Sequence, residues 1–330
     1  MSGRKKSVWL LKRVLSLILS LLVLSVIVFA VSRFAPGDPL RSYYGDRVEK
    51  MSTAERAQAE EKLGLHEPLP AQYFKWLQNA LHGDFGLSYK YKMPVTEVVA
   101  GRIGSTVLLG GVGFVLLFFL ALLLGVFCVR YENKLPDRAL CRLGTVTSCI
   151  PEFWLALVLI LIFSVTLRVL PSAGAYSVGK SGDTLDRLQH LILPLTVVVL
   201  SHLWYYAYMV RNMLAEEVRR DYVRLAKAKG LDTAKTLLFH CLPNALPAFF
   251  SLMAVSVPHI LGGTYIVEAV FSYPGLGTLA YESARYKDYN LLMFLCLLSG
   301  AVVMVCGLLA QLLNARLDPR LAETETEVHV

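Results

Sequence analysis

Six apolar stretches, each long enough to cross a bilayer, alternate with polar segments along this chain. Crossing a hydrocarbon core of about 30 Å takes roughly 20 apolar residues in a helix. Because backbone polar groups in lipid must be satisfied internally, each stretch is predicted to be a helix and the chain an all-α membrane protein with six transmembrane helices. The stretches lie within 14–32, 103–129, 143–167, 188–210, 244–267 and 289–315.

Basic residues beside these stretches predict the orientation. Lys and Arg collect in the short cytoplasmic loops of membrane proteins. They are frequent before the first stretch, after the second, between the fourth and fifth, and after the sixth, so both termini are expected in the cytoplasm. The predicted parts are a cytoplasmic N-terminus with the first span (1–33), an extracytoplasmic segment (34–100), a transmembrane core (101–315) and a cytoplasmic tail (316–330), of which the acidic end 321–330 is expected to be disordered.

Composition further narrows the class of protein and the partners that can be expected. Hydrophobic residues make up 55% of the chain and charged residues only 18%. The net charge of +8 follows from the membrane orientation, so a nucleic-acid partner is not expected. The first apolar run is long and lacks a small-residue cleavage site at Val31–Phe34, so it is expected to be a retained helix. None of the six cysteines falls in a predicted outer segment or at metal-site spacing, so neither a disulfide nor a metal site is predicted.

The predicted outer segment carries signals for two short helices. Ser52 and Glu55 have the spacing of a capping box, which predicts a polar helix ending near Gly64. Tyr73, Trp76 and Leu77 indicate a second helix, with aromatic residues typical of a membrane interface.

A phosphate-loop pattern at 174–181, GAYSVGKS, is interpreted as a coincidence. The pattern binds phosphate where a strand leads through it into a helix. Here it follows an apolar span and Pro171, on the predicted outer side. It is expected to be a Gly/Ser loop, and no nucleotide or other cofactor is predicted for the chain.

The most informative segment runs from Arg211 to Pro243, between the fourth and fifth spans. Leu214, Val218, Tyr222 and Leu225 recur at helical spacing and predict one apolar stripe, with charged residues on the other faces. Gly230 stands where such a helix would end, since glycine adopts the left-handed C′ conformation at little steric cost. A loop that only connects two spans needs no capped amphipathic helix, so this one is expected to contact a cytoplasmic partner. The alternative is a surface helix lying on anionic lipid.

This segment resembles the EAA loop of ABC-transporter permeases. Gly230 matches the glycine of that pattern, and Leu242-Pro243 its terminal Leu-Pro. Tyr222–Gly230, YVRLAKAKG, is similar to the dipeptide, oligopeptide and nickel branch of the family. Further pieces of the chain look like the same branch: Pro36-Gly37-Asp38-Pro39, Gly64-Leu65, Gly83–Gly86, Ile150–Trp154, Glu268–Phe271, Pro274–Gly277 and Leu317–Arg320.

The resemblance implies a type I ABC importer permease fold in the bacterial inner membrane. It implies a permease that forms half of a translocation pathway, with a related second permease, cytoplasmic ATPase subunits and an extracytoplasmic binding protein as partners. The chain itself would not be an enzyme, since it shows no nucleotide-binding domain. The residues implied in coupling to the ATPase are Arg224, Ala226, Lys229, Gly230, Leu231, Leu242 and Pro243.

Candidate pathway residues are few. Glu152 is the one acid well inside a predicted span, where ionisable residues usually face the bundle interior or a cavity. It is a candidate to contact a peptide amine or a cation, or else a packing carboxylate. Gly262-Gly263 lies near the outer end of the fifth span and is a candidate for a bend or a close approach.

Other functions remain open from the sequence. Peptides are the first expected substrate, and nickel or a metal chelate is the alternative within the family. A secondary transporter is a less favoured alternative, because the chain shows no convincing inverted repeat. A membrane-embedded hydrolase would need a nucleophile and base, or a metal constellation, and the spans show neither.

Overall fold

The computed structural model describes residues 3–35, 40, 44–62 and 67–317 of the chain. The predictions for Pro36–Pro39, for the helix end near Gly64, for Asp318–Arg320 and for the tail 321–330 lie outside these residues. Twelve α-helices are described in this part of the chain. They are α1 Gly3–Phe34, α2 Thr53–Lys62, α3 Leu69–Leu81, α4 Val95–Arg130, α5 Leu135–Ser148, α6 Glu152–Leu159, α7 Thr184–Val218, α8 Asp221–Ala228, α9 Thr233–Thr236, α10 Leu242–Val270, α11 Leu276–Arg285 and α12 Tyr289–Leu317.

Five of the six predicted spans correspond to single helical runs that are long and apolar enough to cross a bilayer. These runs contain α1, α4, α7, α10 and α12. The run with α10 starts at Thr233, because a π-helical turn at Leu237–Cys241 joins α9 to α10 without a break. The count rises to six if α5 and α6 are taken together as one bent span.

The prediction of one continuous helix at 143–167 is wrong. Two helices, α5 and α6, meet there at 98°. Pro151 has no N–H to donate and disfavours helical backbone at the residue before it, so the helix cannot continue through 150–151. Its own backbone is extended, with φ −63° and ψ 140°, and α6 begins at the next residue. A π-helical stretch, Ile160–Thr166, then extends α6.

The chain divides into two compact units. The first contains residues up to Ser105 together with Gly275–Val305. The predicted capping box is confirmed in it, since the Ser52 N–H donates to Glu55 Oε2 at 2.8 Å and the Glu55 N–H to Ser52 Oγ at 3.3 Å. The hydrogen bonds from Ser52 hold the pKa of Glu55 below its usual value. The predicted second outer helix is α3, whose Trp76 packs against Phe29.

Polar contacts also fasten the loop before α4 within this first unit. Ser88 donates to Asp288 at 2.5 Å, and the side chain of Asn290 donates to the Leu87 carbonyl at 3.0 Å. Lys90 forms an ion pair with Glu282 at 2.5 Å. Asp288 is fully buried, so these contacts fix the loop against α11 and the start of α12.

The second unit contains Thr106–Pro274 and the residues from Cys306 onward. Its core is apolar and built mainly from α4, α7 and α10, with Phe118, Val197 and Val267 among its fully buried side chains. The loop at 174–181 packs beside α7 in this unit. Ser177 donates its N–H and its hydroxyl to Asp186 at 2.6 and 2.7 Å, and Asp183 caps the start of α7. Two carboxylates therefore stand at the helix start where a phosphate loop would bind phosphate.

Candidate functional site

The segment between α7 and α10 does not form the single stripe that its sequence predicts. The long helix α7 ends at Val218, and α8 begins only after Arg220, whose backbone is extended at φ −67° and ψ 151°. This break changes the helical phase. As a result Leu225, predicted on the apolar stripe, is 57% exposed, while Val223 and Ala226 are buried.

The end of α8 is a complete Schellman motif around the predicted glycine. The Gly230 N–H donates to the Lys227 carbonyl at 2.9 Å, and the Leu231 N–H donates to the Ala226 carbonyl at 3.2 Å. These are the two bonds of that motif, and they require a left-handed residue at C′. Gly230 has φ +84°, so the prediction of a C′ glycine is confirmed. A Cβ at this position would meet no atom within 4 Å, so only backbone strain opposes a larger residue.

One face of α8 holds it to the core of the unit. Val223 belongs to the same core cluster as Leu237, Cys241 and Val129. Tyr222 donates its hydroxyl to Glu217 Oε2 at 2.6 Å, which connects α8 to the last turn of α7. Burial raises the pKa of Tyr222 to about 12, and the neighbouring Glu217 carboxylate acts in the same direction.

The opposite face of α8 is exposed and basic. Arg224, Leu225 and Lys229 are exposed. In the part of the chain that the structure describes, the ion-pair partner of Arg224 is Asp221 at 3.3 Å, and both side chains are largely in solvent. Such exposed pairs are worth at most about 1 kcal/mol. The face therefore combines the apolar side chain of Leu225 with the exposed cations of Arg224 and Lys229.

The other predicted coupling residues lie in two places, on or just after α8 and at the start of α10. Ala226 lies on the buried face of α8, and Leu231 follows the Schellman motif at 37% exposure. Leu242 and Pro243 are not part of α8; they form the first turn of α10, directly after the π-helical turn. Pro243 has no N–H to donate, which suits the first turn of a helix.

A buried ion pair that sequence reasoning missed stands near the base of this segment. Arg211 on α7 donates to both carboxylate oxygens of Asp137 on α5, from Nε at 2.9 Å and from Nη2 at 2.8 Å. Asp137 is 2% exposed and also accepts the Asn133 N–H at 2.9 Å. The two residues are 74 positions apart, and nothing in the local sequence of either indicates the other.

Glu152 is the centre of a polar junction between α6, α7 and α10. Its Oε1 accepts the Ser201 hydroxyl at 2.8 Å and lies 3.2 Å from His202 Nδ1. His202 Nδ1 also lies 3.0 Å from the Val198 carbonyl, which can only accept, so this nitrogen carries a proton. The Glu152 side chain is 16% exposed and that of His202 4%.

Gly263 is the residue that lets this junction close. A Cβ at Gly263 would stand 2.6 Å from Glu152 Oε1 and 2.7 Å from His202 Cε1, so no side chain fits there without displacing one of them. Gly262 faces open space, with no atom within 4 Å of such a Cβ. The two neighbouring glycines, predicted as a pair, therefore have different surroundings.

The junction continues through aromatic residues towards the surface of the unit. The rings of His202 and His259 meet edge to face at 4.8 Å between centroids. His259 Nδ1 lies 3.2 Å from the Tyr206 hydroxyl. His259 is exposed, so this row of polar groups leads from the half-buried Glu152 carboxylate to an open face of α10.

Another carboxylate, which was not predicted within a span, is fully buried. Glu268 lies in the last turns of α10, is fully buried, and accepts the Thr106 hydroxyl at 2.6 Å. In the sequence, this acid stands one residue beyond the predicted fifth span, and that position is the signal that could have identified it. Within the described residues, no three His, Cys, Asp or Glu side chains are grouped to hold a metal ion.

Comparison with known proteins identifies the family. The family described as "Binding-protein-dependent transport system inner membrane component" matches residues 119–323, and its N-terminal region matches residues 7–110. The chain belongs to this family. The family prediction made from the 211–243 segment is thus confirmed, and the chain is a multi-pass membrane component of a transport system.

Curated relatives match this chain over nearly its whole length. The oligopeptide transport system permease protein AppB of Bacillus subtilis is 33% identical over 314 residues, which cover 95% of this chain and 98% of AppB. A putative peptide permease protein of Brucella ovis is 32% identical over 305 residues, covering 92% of this chain and 95% of that protein.

Solved structures show the fold. An inward-facing form of the MetNI methionine ABC transporter matches with a TM-score of 0.54 at 17% identity, covering 67% of this chain and 96% of that one. A second crystal form of MetNI matches with the same TM-score at 18% identity, covering 66% and 95%. The prediction of the type I ABC importer permease fold is confirmed.

Proposed function

We propose that this chain is the permease subunit of an ATP-driven importer of peptides. It forms half of the translocation pathway together with a related second permease, and it receives substrate from an extracytoplasmic binding protein. Separate cytoplasmic ATPase subunits drive it, so the chain is not itself an enzyme and holds no cofactor. The bacterial inner membrane is its location, with both termini in the cytoplasm.

The observation that carries this proposal is the construction of α8. This helix of eight residues is capped at its end by a Schellman motif. Val223 and Ala226 are buried on one of its faces, whereas Arg224, Leu225 and Lys229 are exposed to solvent. A short rigid helix of this kind transmits a push as a rigid-body displacement, which a flexible loop would absorb. The exposed cations suit an acidic groove on the ATPase.

The contacts behind α8 provide a route for the movement. Val223 shares a core cluster with Leu237, which lies on the π-helical turn that leads into α10, where Leu242 and Pro243 start the helix. Tyr222 is bonded to the last turn of α7. A displacement of α8 would therefore act on α7 and α10 together, and we propose this as the role of the seven coupling residues.

The pathway is proposed to run beside the Glu152 junction. Glu152, Gly262 and Gly263 are its candidate residues, and the partial exposure of Glu152 and the open space at Gly262 support this placement. A half-buried carboxylate of this kind could attract the protonated amine of a peptide. The names of the relatives favour peptides over nickel or a metal chelate, and the family match favours an importer over a secondary transporter.

The proposal is tested with Gly230→Val in the whole complex, reconstituted with its ATPase and binding protein. Valine resists positive φ, so the Schellman motif should fail while the spans still fold. We expect ATP hydrolysis stimulated by peptide-loaded binding protein to fall about fivefold or more. Coupling between two linked sites typically corresponds to a factor of about 5 to 150.

The matched control is Gly179→Val. Gly179 has φ +81° and, like Gly230, no atom within 4 Å of an added Cβ, but it lies in the loop before α7. Both substitutions therefore impose similar backbone strain. Equal stimulation of ATP hydrolysis in wild type and Gly230→Val, or an equal loss in both variants, would contradict the proposed role of α8.

A further inference from the structure

An apolar groove of about 260 Å³ runs between α1 and α3 in the first unit. Val26, Phe29 and Ala30 form its wall on α1, and Leu69, Tyr73 and Phe74 form its wall on α3. Phe74 is 67% exposed, so one side of the groove is open. Arg33 and Phe34 close its end at the last turn of α1.

The floor of the groove is fixed by side-chain contacts. The Tyr73 hydroxyl and Ser25 Oγ are 2.8 Å apart, in a hydrogen bond that ties α3 to α1. Phe29 meets the rings of Tyr73 and Trp76 with centroids 5.5 and 5.6 Å apart. These contacts fix the spacing of α1 and α3 along the groove.

Arg33 places a cation at the end of this apolar surface. Its guanidinium lies over the Phe29 ring, 5.0 Å from the centroid. Its Nε is buried, and no hydrogen-bond partner for it occurs in the part of the chain that the structure describes. Arg33 as a whole is only half-buried, so the rest of its guanidinium stands at the rim of the groove, where an acceptor from the bilayer can approach it.

The position of Arg33 along the span indicates what that acceptor is. The apolar run of α1 extends over Leu11–Phe34, so Arg33 stands at one end of the span, at the level of lipid headgroups. A guanidinium offers a planar fork of donors that fits a phosphate. Tyr73 and Trp76 beside it are residues typical of the same interface.

We propose that this groove binds one phospholipid, with the phosphate on Arg33 and part of an acyl chain against Phe29, Ala30 and Phe74. The groove is slightly smaller than the roughly 300 Å³ at which pockets for whole small molecules begin. It therefore holds a segment of the chain, while the rest of the lipid stays in the bilayer. Phospholipid bound here contacts both α1 and α3 and pairs with the exposed part of the guanidinium.

The test uses the full chain, purified, stripped of lipid in detergent and titrated with single lipids under native mass spectrometry. Phosphatidylglycerol and phosphatidylcholine should each bind at one site, and diacylglycerol, which lacks the phosphate, about tenfold or more weakly. Excess inorganic phosphate should not displace the lipid. Equal binding of diacylglycerol, or displacement by free phosphate, would overturn the proposal.

Two variants separate the parts of the site. Arg33→Gln should weaken phosphatidylglycerol binding about tenfold, while Lys12→Gln, which removes a charge at the other end of α1, should not. Ala30→Phe keeps Arg33 but fills the groove, and it should also abolish binding. Gel filtration checks that each variant is folded. Wild-type binding in either Arg33→Gln or Ala30→Phe would show that the groove is not the site.

Discussion

The α8 segment and the Glu152 junction are held together in opposite ways. The form of α8 comes from contacts within ten residues: an extended Arg220 before it and a Schellman motif at Gly230 after it. The junction joins Glu152, His202 and Gly263 from three helices far apart in sequence. The first can move as a unit without losing its own structure, whereas the second exists only while α6, α7 and α10 stay packed.

This difference has a consequence for the proposed mechanism. A part that receives force from a partner must keep its shape when its surroundings shift, and local capping provides that. A site that responds to the arrangement of helices must be sensitive to their positions. The close contact of Gly263 with Glu152 and His202 provides that sensitivity, because it leaves no room for a Cβ. We infer that damage to long-range buried contacts affects stability most, and damage to the exposed face of α8 affects coupling most.

The largest effect on stability is expected from Arg211→Ala. The substitution leaves the Asp137 carboxylate buried without its bidentate partner, which costs about 3–5 kcal/mol. Thermal unfolding of the purified chain measures it. Arg219→Ala, which breaks an exposed pair with Glu132, is the control and should cost at most about 1 kcal/mol. Similar melting temperatures for the two variants would show that the buried pair contributes little.

The next effect is expected from the neighbouring glycines of α10. Gly263→Val should destabilise the chain by about 1–3 kcal/mol, because its side chain must displace Glu152 or His202. Gly262→Val meets open space and should have little effect on the folded chain. Thermal unfolding of both variants in the same detergent compares them, and an equal loss in the two would contradict the described junction.

A smaller effect is expected from Tyr222→Phe. It removes the hydrogen bond to Glu217 and should cost about 1 kcal/mol. The raised pKa of Tyr222, about 12, also sets a pH window. The neutral hydroxyl is favoured in the folded state, so its contribution is complete below the ordinary pKa of 10 and is lost as the pH rises through about 12. Unfolding of wild type and variant should therefore converge over this window. A constant difference would refute the assignment.

The smallest effect on stability is expected from the exposed face of α8. The double variant Arg224→Ala and Lys229→Ala should change the free energy of unfolding by less than about 0.5 kcal/mol, since both side chains are exposed. Its binding to the ATPase should nevertheless weaken and lose part of its salt dependence. Unchanged affinity at low and high salt would remove these two residues from the proposed interface.

The sequence predicts the features that depend on neighbours along the chain. Hydropathy locates the spans, and residue type alone identifies the capping box at Ser52 and the C′ glycine at Gly230. The stripe through Leu225 failed because a two-residue break before α8 shifts the helical phase, and periodicity cannot detect a break whose residues are compatible with a helix. The third span is not one continuous helix because Pro151 interrupts it, and hydropathy alone does not register such a break.

The contacts between helices could not be predicted in this way. Glu152 was recognised as unusual, but its partners His202 and Gly263 follow from how α7 and α10 pack against α6. The pair of Arg211 and Asp137 depends likewise on the direction in which α5 leaves α4. Such contacts need the relative positions of helices, and a single sequence without aligned relatives does not contain them.

The most direct test of the central claim is photocrosslinking from α8 in the assembled transporter. A benzophenone amino acid is placed at Leu225, on the exposed face, and as a control at Val178, which is even more open to solvent but lies in the loop before α7. The account predicts that Leu225 captures the ATPase subunit and Val178 does not. Assembly of the complex with no ATPase crosslink from Leu225, or with equal crosslinks from both positions, would contradict it.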